Sequence, residues 1–355
     1  MSKPKLLELD VVRGVAILAV VLVHGTAEGS AAGSAGPDGV QAAGLLINKL
    51  CAFAVPAFIF VSGLVLFYGA PAGWNRESLR RYYGRRMKTA LVPYLAWSAI
   101  FYVANQWLAH GAEMKPDPVY FGKVLLTGGA SYHLYFLVII MQFYAVFPLA
   151  AAAVRRYDPG GKLLLAAGLT LQLAFYAFGR YVQPVPFSYL WAFDYASLFA
   201  FGGWFGLRYG ARAASAERRA GWWAAAACCF GLGYAGLHIG AAYGAAPGSG
   251  WYELAYAGFG LAAAAALVAW ARRLQGRLRP LAALGRASFG VYLVHPLLLS
   301  LWRAIVPVEP RGAGYALINA IGIAAVLAAS YALTLGYTRM RAAEPAMRQT
   351  RDIGR

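Results

Sequence analysis

Negative charge is scarce in this chain. Its 355 residues hold 14 Asp and Glu against 32 Lys and Arg, and charged residues make up only 13% of the total. A soluble domain carries about twice that share, so an ordinary water-facing surface is excluded. Cysteine is scarcer still. Cys51, Cys228 and Cys229 all lie in apolar stretches without metal or redox spacing and read as plain core or lipid-facing residues. No metal-ligand spacing and no Gly-rich phosphate loop is present, so no metal is expected.

What the chain has instead is apolar residues, 60% of the total, in blocks of roughly twenty. That is the length of a helix crossing a ~30 Å hydrocarbon core. Hydropathy gives ten such spans, near 8–27, 43–69, 90–109, 131–153, 163–180, 189–207, 222–242, 252–271, 287–306 and 314–338. The expected fold class is therefore all-α, an integral membrane protein of about ten transmembrane helices. A membrane domain over 1–340 would be followed by a basic cytoplasmic tail over 341–355. A cleavable signal peptide is the alternative for the first block, with Lys3 and Lys5, an apolar run and then "GSAAGSAG". Arg13 breaks the order that such a peptide requires.

The net charge of +18 does not signal nucleic acid, because the basic residues sit in short loops between apolar blocks. With both termini cytoplasmic, every Lys and Arg falls on the inner side except Lys49, Lys115, Lys123, Arg180, Arg303 and Arg311. This is the asymmetry that orients membrane proteins. The outer connections, the longest over 29–42, are too short to fold alone, so any chemistry belongs between helices or at their mouths. No internal repeat of the transporter kind is visible.

The first block, "LDVVRGVAILAVVLVHG" over 9–25, contains Asp10, Arg13 and His24. Ionisable groups are costly at the bilayer centre and persist there mainly for function. Arg13 and His24 are eleven residues, about three turns, apart, so they leave one helix face about 16 Å apart along the axis. One reading is a pathway, with Arg13 holding a cytoplasmic anion and His24 doing base chemistry further out. The plain alternative pairs Arg13 with Asp10 at i and i+3, with His24 at an outer helix end.

The same stretch resembles the first-helix signature of the acyltransferase-3 family of integral membrane acyltransferases, a basic residue and a His separated by ten residues. Four more stretches resemble the family in order. They are "FAVPAFIFVSGLVLF" (53–67), "YYGRRMKTALVPYLAWS" (82–98), "YHLYFLVIIMQFYAVFPL" (132–149) and "LGRASFGVYLVHPLLL" (284–299). The stretch over 132–149, fourth of the five, is similar to the subgroup linked to intercellular adhesin and other cell-surface glycans. Residues 160–280 carry no matching motif.

The resemblance implies acyl transfer from cytoplasmic acyl-CoA, acetyl-CoA or succinyl-CoA, to a hydroxyl of an extracytoplasmic polysaccharide or glycan precursor. The setting would be the plasma (inner) membrane of a bacterium. Arg13, Arg85, Arg86 and Lys88 match the family's basic positions and would hold the CoA phosphates. Arg13 and His24 would be the catalytic pair, with His24 the general base. His133, Tyr135, Tyr292 and His295 fall on motif positions and would line the acceptor cavity, or else simply bond to neighbouring helices. Asp194 and Glu253 lie outside the motifs, as sugar ligands or wetted interfacial carboxylates. Ser62 and Ser288 read as nucleophiles or as small packing residues, with packing favoured in membrane helices. A glycan synthase or secreted protein as partner and a homo-oligomer are both compatible with the sequence. The rival function is a glycan exporter or flippase without acyl chemistry, and a third is an inactive sensor or scaffold.

Overall fold

The computed structural model describes residues 4–30, 38–274 and 276–353, and of these the side chains of 29–30 and 344–353 are not described. Lys3, the centre of the outer connection at 31–37 with most of the "GSAAGSAG" run, and the tail's last two residues lie outside that set. Among the described residues there is helix and no strand. In chain order the helices are α1 Glu8–Ser30, α2 Gly39–Leu50, α3 Ala54–Tyr68, α4 Arg76–Arg86, α5 Val92–His110, α6 Pro118–Thr127 and α7 Tyr135–Tyr157. They continue as α8 Lys162–Tyr181, α9 Ala196–Leu207, α10 Tyr209–Arg218, α11 Ala220–Ala242, α12 Ser249–Arg273, α13 Arg279–Ile305 and α14 Gly312–Ile353.

Eight helical stretches among the described residues are long and apolar enough to cross a membrane. In addition, α1, at 23 residues, is about 34 Å long at 1.5 Å per residue. This is an all-α integral membrane protein that crosses the bilayer several times. The segment expected as a span over 189–207 is built differently. Two short 3₁₀ turns, Ser188–Leu190 and Ala192–Tyr195, lead into a 12-residue helix. Pro184 and Pro186 lie just before these turns and cannot donate to a helical ladder, so no regular helix runs into them from α8.

The basic stretch expected as an inner loop is also helical. Asn75 caps α4 in a reciprocal pair with Ser78, and α4 passes into α5 through one π-helical turn, Met87–Leu91. Pro93 explains the wide turn. It has no N–H, and its ring would press on the carbonyl four residues back, so the ladder shifts to the Val92 N–H reaching the Met87 carbonyl.

The chain divides into two compact units, Val55–Ala220 with Pro4, and Lys5–Ala54 with Gly221–Arg355. In the first, α3 and α9 meet through glycine. A Cβ on Gly202 would lie 2.0 Å from the Phe60 carbonyl oxygen, and one on Gly63 2.2 Å from that of Phe199. Ser62 bonds back to the Phe58 carbonyl of its own helix at 2.8 Å, as a packing serine does.

In the second unit α1 is central and touches α2, α12, α13 and α14. Its tightest contact is with α13. A Cβ on Gly285 would lie 1.7 Å from the Asp10 carbonyl oxygen, and one on Gly14 2.0 Å from that of Leu281. Small residues let membrane helices approach this closely, where packing rather than water drives association.

Candidate functional site

Ten residues beyond Gly14 on α1 stands His24, and ten beyond Gly285 on α13 stands His295. The two helices therefore run parallel and in register, and about 15 Å from the glycine contact the imidazoles stack. Their centroids are 5.4 Å apart and their planes 27° apart. His295 is fully buried, at 0% exposure, and its Nδ1 lies 2.9 Å from the Val291 carbonyl. A carbonyl only accepts, so Nδ1 carries the proton and the lone pair of a neutral ring sits on Nε2. Pro296 removes the N–H that would serve the Tyr292 carbonyl one turn back. Tyr292, itself buried, has its ring 6.4 Å from that of His295.

His24 is half-buried and its turn is braced on three successive carbonyls. Thr26 Oγ1 donates to Leu22 at 2.7 Å, Asn48 Nδ2 of α2 to Val23 at 2.7 Å, and Arg303 Nη2 of α13 to His24 itself at 3.0 Å. Arg303 Nε also pairs with Glu28 at 3.1 Å. Sequence reasoning overlooked Asn48, Arg303 and Glu28. Arg303 falls among the few basic residues on the expected outer side, against the positive-inside trend, and that was the available signal for it.

The N-terminal end of α1 carries paired charge. Asp10, 2% exposed, takes Lys5 at 3.0 Å and Arg13 at 3.1 Å, and Glu8 pairs with Arg272 of α12 at 3.3 Å. The plain i, i+3 alternative for Arg13 is thus present in the structure. It does not occupy the side chain, which remains 29% exposed and binds Asp10 through one terminal nitrogen of a five-donor fork.

In the other unit, one face of α4 forms a basic groove of about 590 Å³. Glu77, Arg80, Arg81, Gly84, Arg85 and Lys88 line it, recurring every three or four residues as a helix face does. Arg86 stands apart from it, against the expectation that grouped it with Arg85 and Lys88. Its guanidinium lies 5.3 Å over the Tyr82 ring and 4.4 Å over the Tyr144 ring, a packing that one helical step of about 100° dictates. Arg80 and Arg81 take its place in the groove.

The remaining candidates are dispersed. His133, 1% exposed, lies in the turn before α7, with Nδ1 3.0 Å from Ser131 Oγ and the Phe101 ring edge-on at 5.2 Å. Tyr135 is edge-on to Tyr189 at 5.8 Å. Tyr189 belongs to the turns that lead to half-buried Asp194. Glu253 is exposed on α12, on the helix whose Tyr252 faces His238 of α11. His24, His295, Tyr292 and Arg13 belong to one unit with Glu253. Arg85, Arg86, Lys88, His133, Tyr135 and Asp194 belong to the other. Among the described residues no three His, Cys, Asp or Glu side chains gather as metal ligands.

Searches among curated proteins and among solved structures found no match. A family model described as an acyltransferase domain matches residues 6–335, a stretch that contains α1, the α4 groove and the histidine pair alike. The chain therefore belongs to the acyltransferase-3 family of membrane acyltransferases.

Proposed function

We propose that the protein is an O-acyltransferase of a bacterial plasma membrane. It moves an acetyl or succinyl group from cytoplasmic acyl-CoA to a hydroxyl of an extracytoplasmic polysaccharide or glycan precursor, with His24 as general base. The observation that carries this reading is the stacked pair of His24 and His295, held on two in-register helices and braced by Asn48 and Arg303.

A sugar hydroxyl is a poor nucleophile until its proton is removed, and the lone pair of a neutral imidazole suits that task. His24 takes the hydroxyl proton as the oxygen attacks the thioester carbonyl carbon. The carbon–sulfur bond breaks, the thiolate leaves and recovers the proton from the imidazolium. The products are an O-acyl ester and free CoA. His295 and Tyr292 hold the His24 ring in place, and the exposed remainder of Arg13 binds donor anion. Arg80, Arg81, Arg85 and Lys88 take the CoA phosphates, for which the planar fork of arginine is well matched. Arg86 holds α4 against Tyr144. His133 is a packing residue, while Tyr135, Asp194 and Glu253 stay as candidate glycan contacts. The tail from 341 is cytoplasmic.

The test is acyl transfer by the reconstituted full-length chain, with labelled acetyl-CoA and succinyl-CoA as donors. His24→Ala is expected to lower kcat by about 10²- to 10⁴-fold, the usual contribution of a general base. Arg13→Ala is expected to raise KM for the donor. Wild-type turnover by His24→Ala, with the variant present in the membrane at normal level, would remove the assigned role.

A further inference from the structure

Beyond the histidine pair lies a cavity of about 430 Å³ that no sequence motif marks. It is lined by Glu28 of α1, Trp302 and Arg303 of α13, Glu309 of the α13–α14 connection, and Tyr315 and Asn319 of α14. Its remaining wall is Val306, Pro307, Val308 and Ile318. We propose that this cavity is the acceptor subsite, and that it takes a pyranose without acidic groups, neutral or amino-bearing, rather than a uronic or sialic acid. The inference rests on the acyltransferase reading for its role and names the sugar chemistry that reading leaves open.

Position is the first argument. Glu28 is one helical turn beyond His24, about 6 Å along α1, and Trp302 is two turns beyond His295, about 10 Å along α13. Both therefore lie on the helix faces that carry the histidines, in the same axial direction. Arg303 joins the two places physically, since it bonds the His24 carbonyl and the Glu28 carboxylate with one guanidinium.

Composition is the second. A pyranose offers a ring of hydroxyls that both donate and accept, and an apolar C–H face. Here carboxylates accept, a guanidinium and an amide donate, and an indole offers a flat apolar surface. The volume falls within the usual range for small-molecule sites. Trp302 is also pre-positioned. Gly322 makes room for it, because a Cβ there would lie 2.3 Å from the indole Nε1.

Charge is the third. Arg303 is offset by Glu28, which leaves Glu309 as uncompensated negative charge among the lining residues. Arg311, two residues further on, is not part of the lining. Such a site repels a carboxylated sugar and tolerates or attracts an amine.

The experiment measures sugar binding to the full-length chain in nanodiscs without acyl-CoA. The probes are the N-acetylglucosamine tetramer, its de-N-acetylated form, and tetragalacturonate. The first two are expected to bind, with tetragalacturonate at least tenfold weaker. Trp302→Ala and Asn319→Ala each weaken the neutral tetramer at least tenfold. Glu309→Gln, at an exposed position, brings tetragalacturonate binding close to that of the neutral tetramer. Absence of binding, unchanged binding in both Trp302→Ala and Asn319→Ala, or a preference for the acidic tetramer overturns the proposal. Intact sugar binding with no acyl transfer would overturn the enzymatic reading and keep the subsite. Transfer by Trp302→Ala with a wild-type acceptor KM would do the reverse.

Discussion

The most demanding consequence of the α1–α13 contact is that one methyl group, placed far from the histidines, should disable them. Gly285→Ala adds a Cβ 1.7 Å from the Asp10 carbonyl oxygen, where ordinary contact begins at 3.4 Å. The backbone cannot rotate away as a side chain could, so the helices must part by about 1.7 Å at the crossing. Overpacking of this kind costs about 1–3 kcal/mol, which for a chain of this size is a fall of a few degrees in Tm. The same opening, transmitted along two stiff helices, loosens the 5.4 Å stack of His24 on His295. A misplacement of about 1 Å in reacting groups can cost up to ~100-fold in rate. The assay is thermal unfolding of the purified chain with initial rates of acyl transfer, using Gly336→Ala as control. Nothing lies within 4 Å of a Cβ at 336, so that change should leave both readouts alone. Wild-type Tm and wild-type rate in Gly285→Ala would show that the close approach does not govern the pair.

Other consequences follow from single contacts. Asn48→Leu keeps the branched shape but removes the donors to Val23 and Thr26; a cost of about 1–3 kcal/mol is expected, with a fall in kcat larger than any change in KM. Replacing both Arg85 and Lys88 by Gln should raise the donor KM, steepen at low ionic strength and leave Tm within about a degree, since both side chains are exposed. Arg86→Gln should do the opposite, lowering Tm through loss of two cation–π contacts worth about 0.5–2 kcal/mol each while sparing the donor KM. Asp10→Asn leaves Lys5 and Arg13 without their shared carboxylate, and is expected to lower stability and raise the donor KM together, as measured by Tm and steady-state kinetics.

Much of this was legible in the sequence, because a bilayer imposes length and polarity on its helices so strictly. The apolar blocks, the face shared by Arg13 and His24, and the family motifs could all be read directly. Three things could not. The 189–207 block has the composition of a span, but its first part winds as two 3₁₀ turns, and hydropathy does not register backbone ladders. Arg85 and Arg86 are neighbours in sequence, yet 100° of helical rotation sends one to the groove and the other onto tyrosine rings. The partnership of His24 with His295 depends on Gly14 and Gly285 meeting across 271 positions of chain, and no local pattern encodes which glycine finds which.

The π turn at Met87–Leu91 has a further effect on the helix that contains it. Tyr82, Arg86, Ala90, Tyr94 and Ser98 form a stripe that is half-buried and then buried, spaced at four residues throughout. A regular α-helix would carry that spacing about 160° off course over sixteen residues; the one additional residue absorbs roughly 100° of this drift. The wide turn thus works as a phase corrector between a cation-bearing segment and a lipid-crossing one. Closing it to a regular α-turn with every residue kept would swing the helix beyond it by about 100° about its axis, whereas deleting one residue within it would leave that phase unchanged.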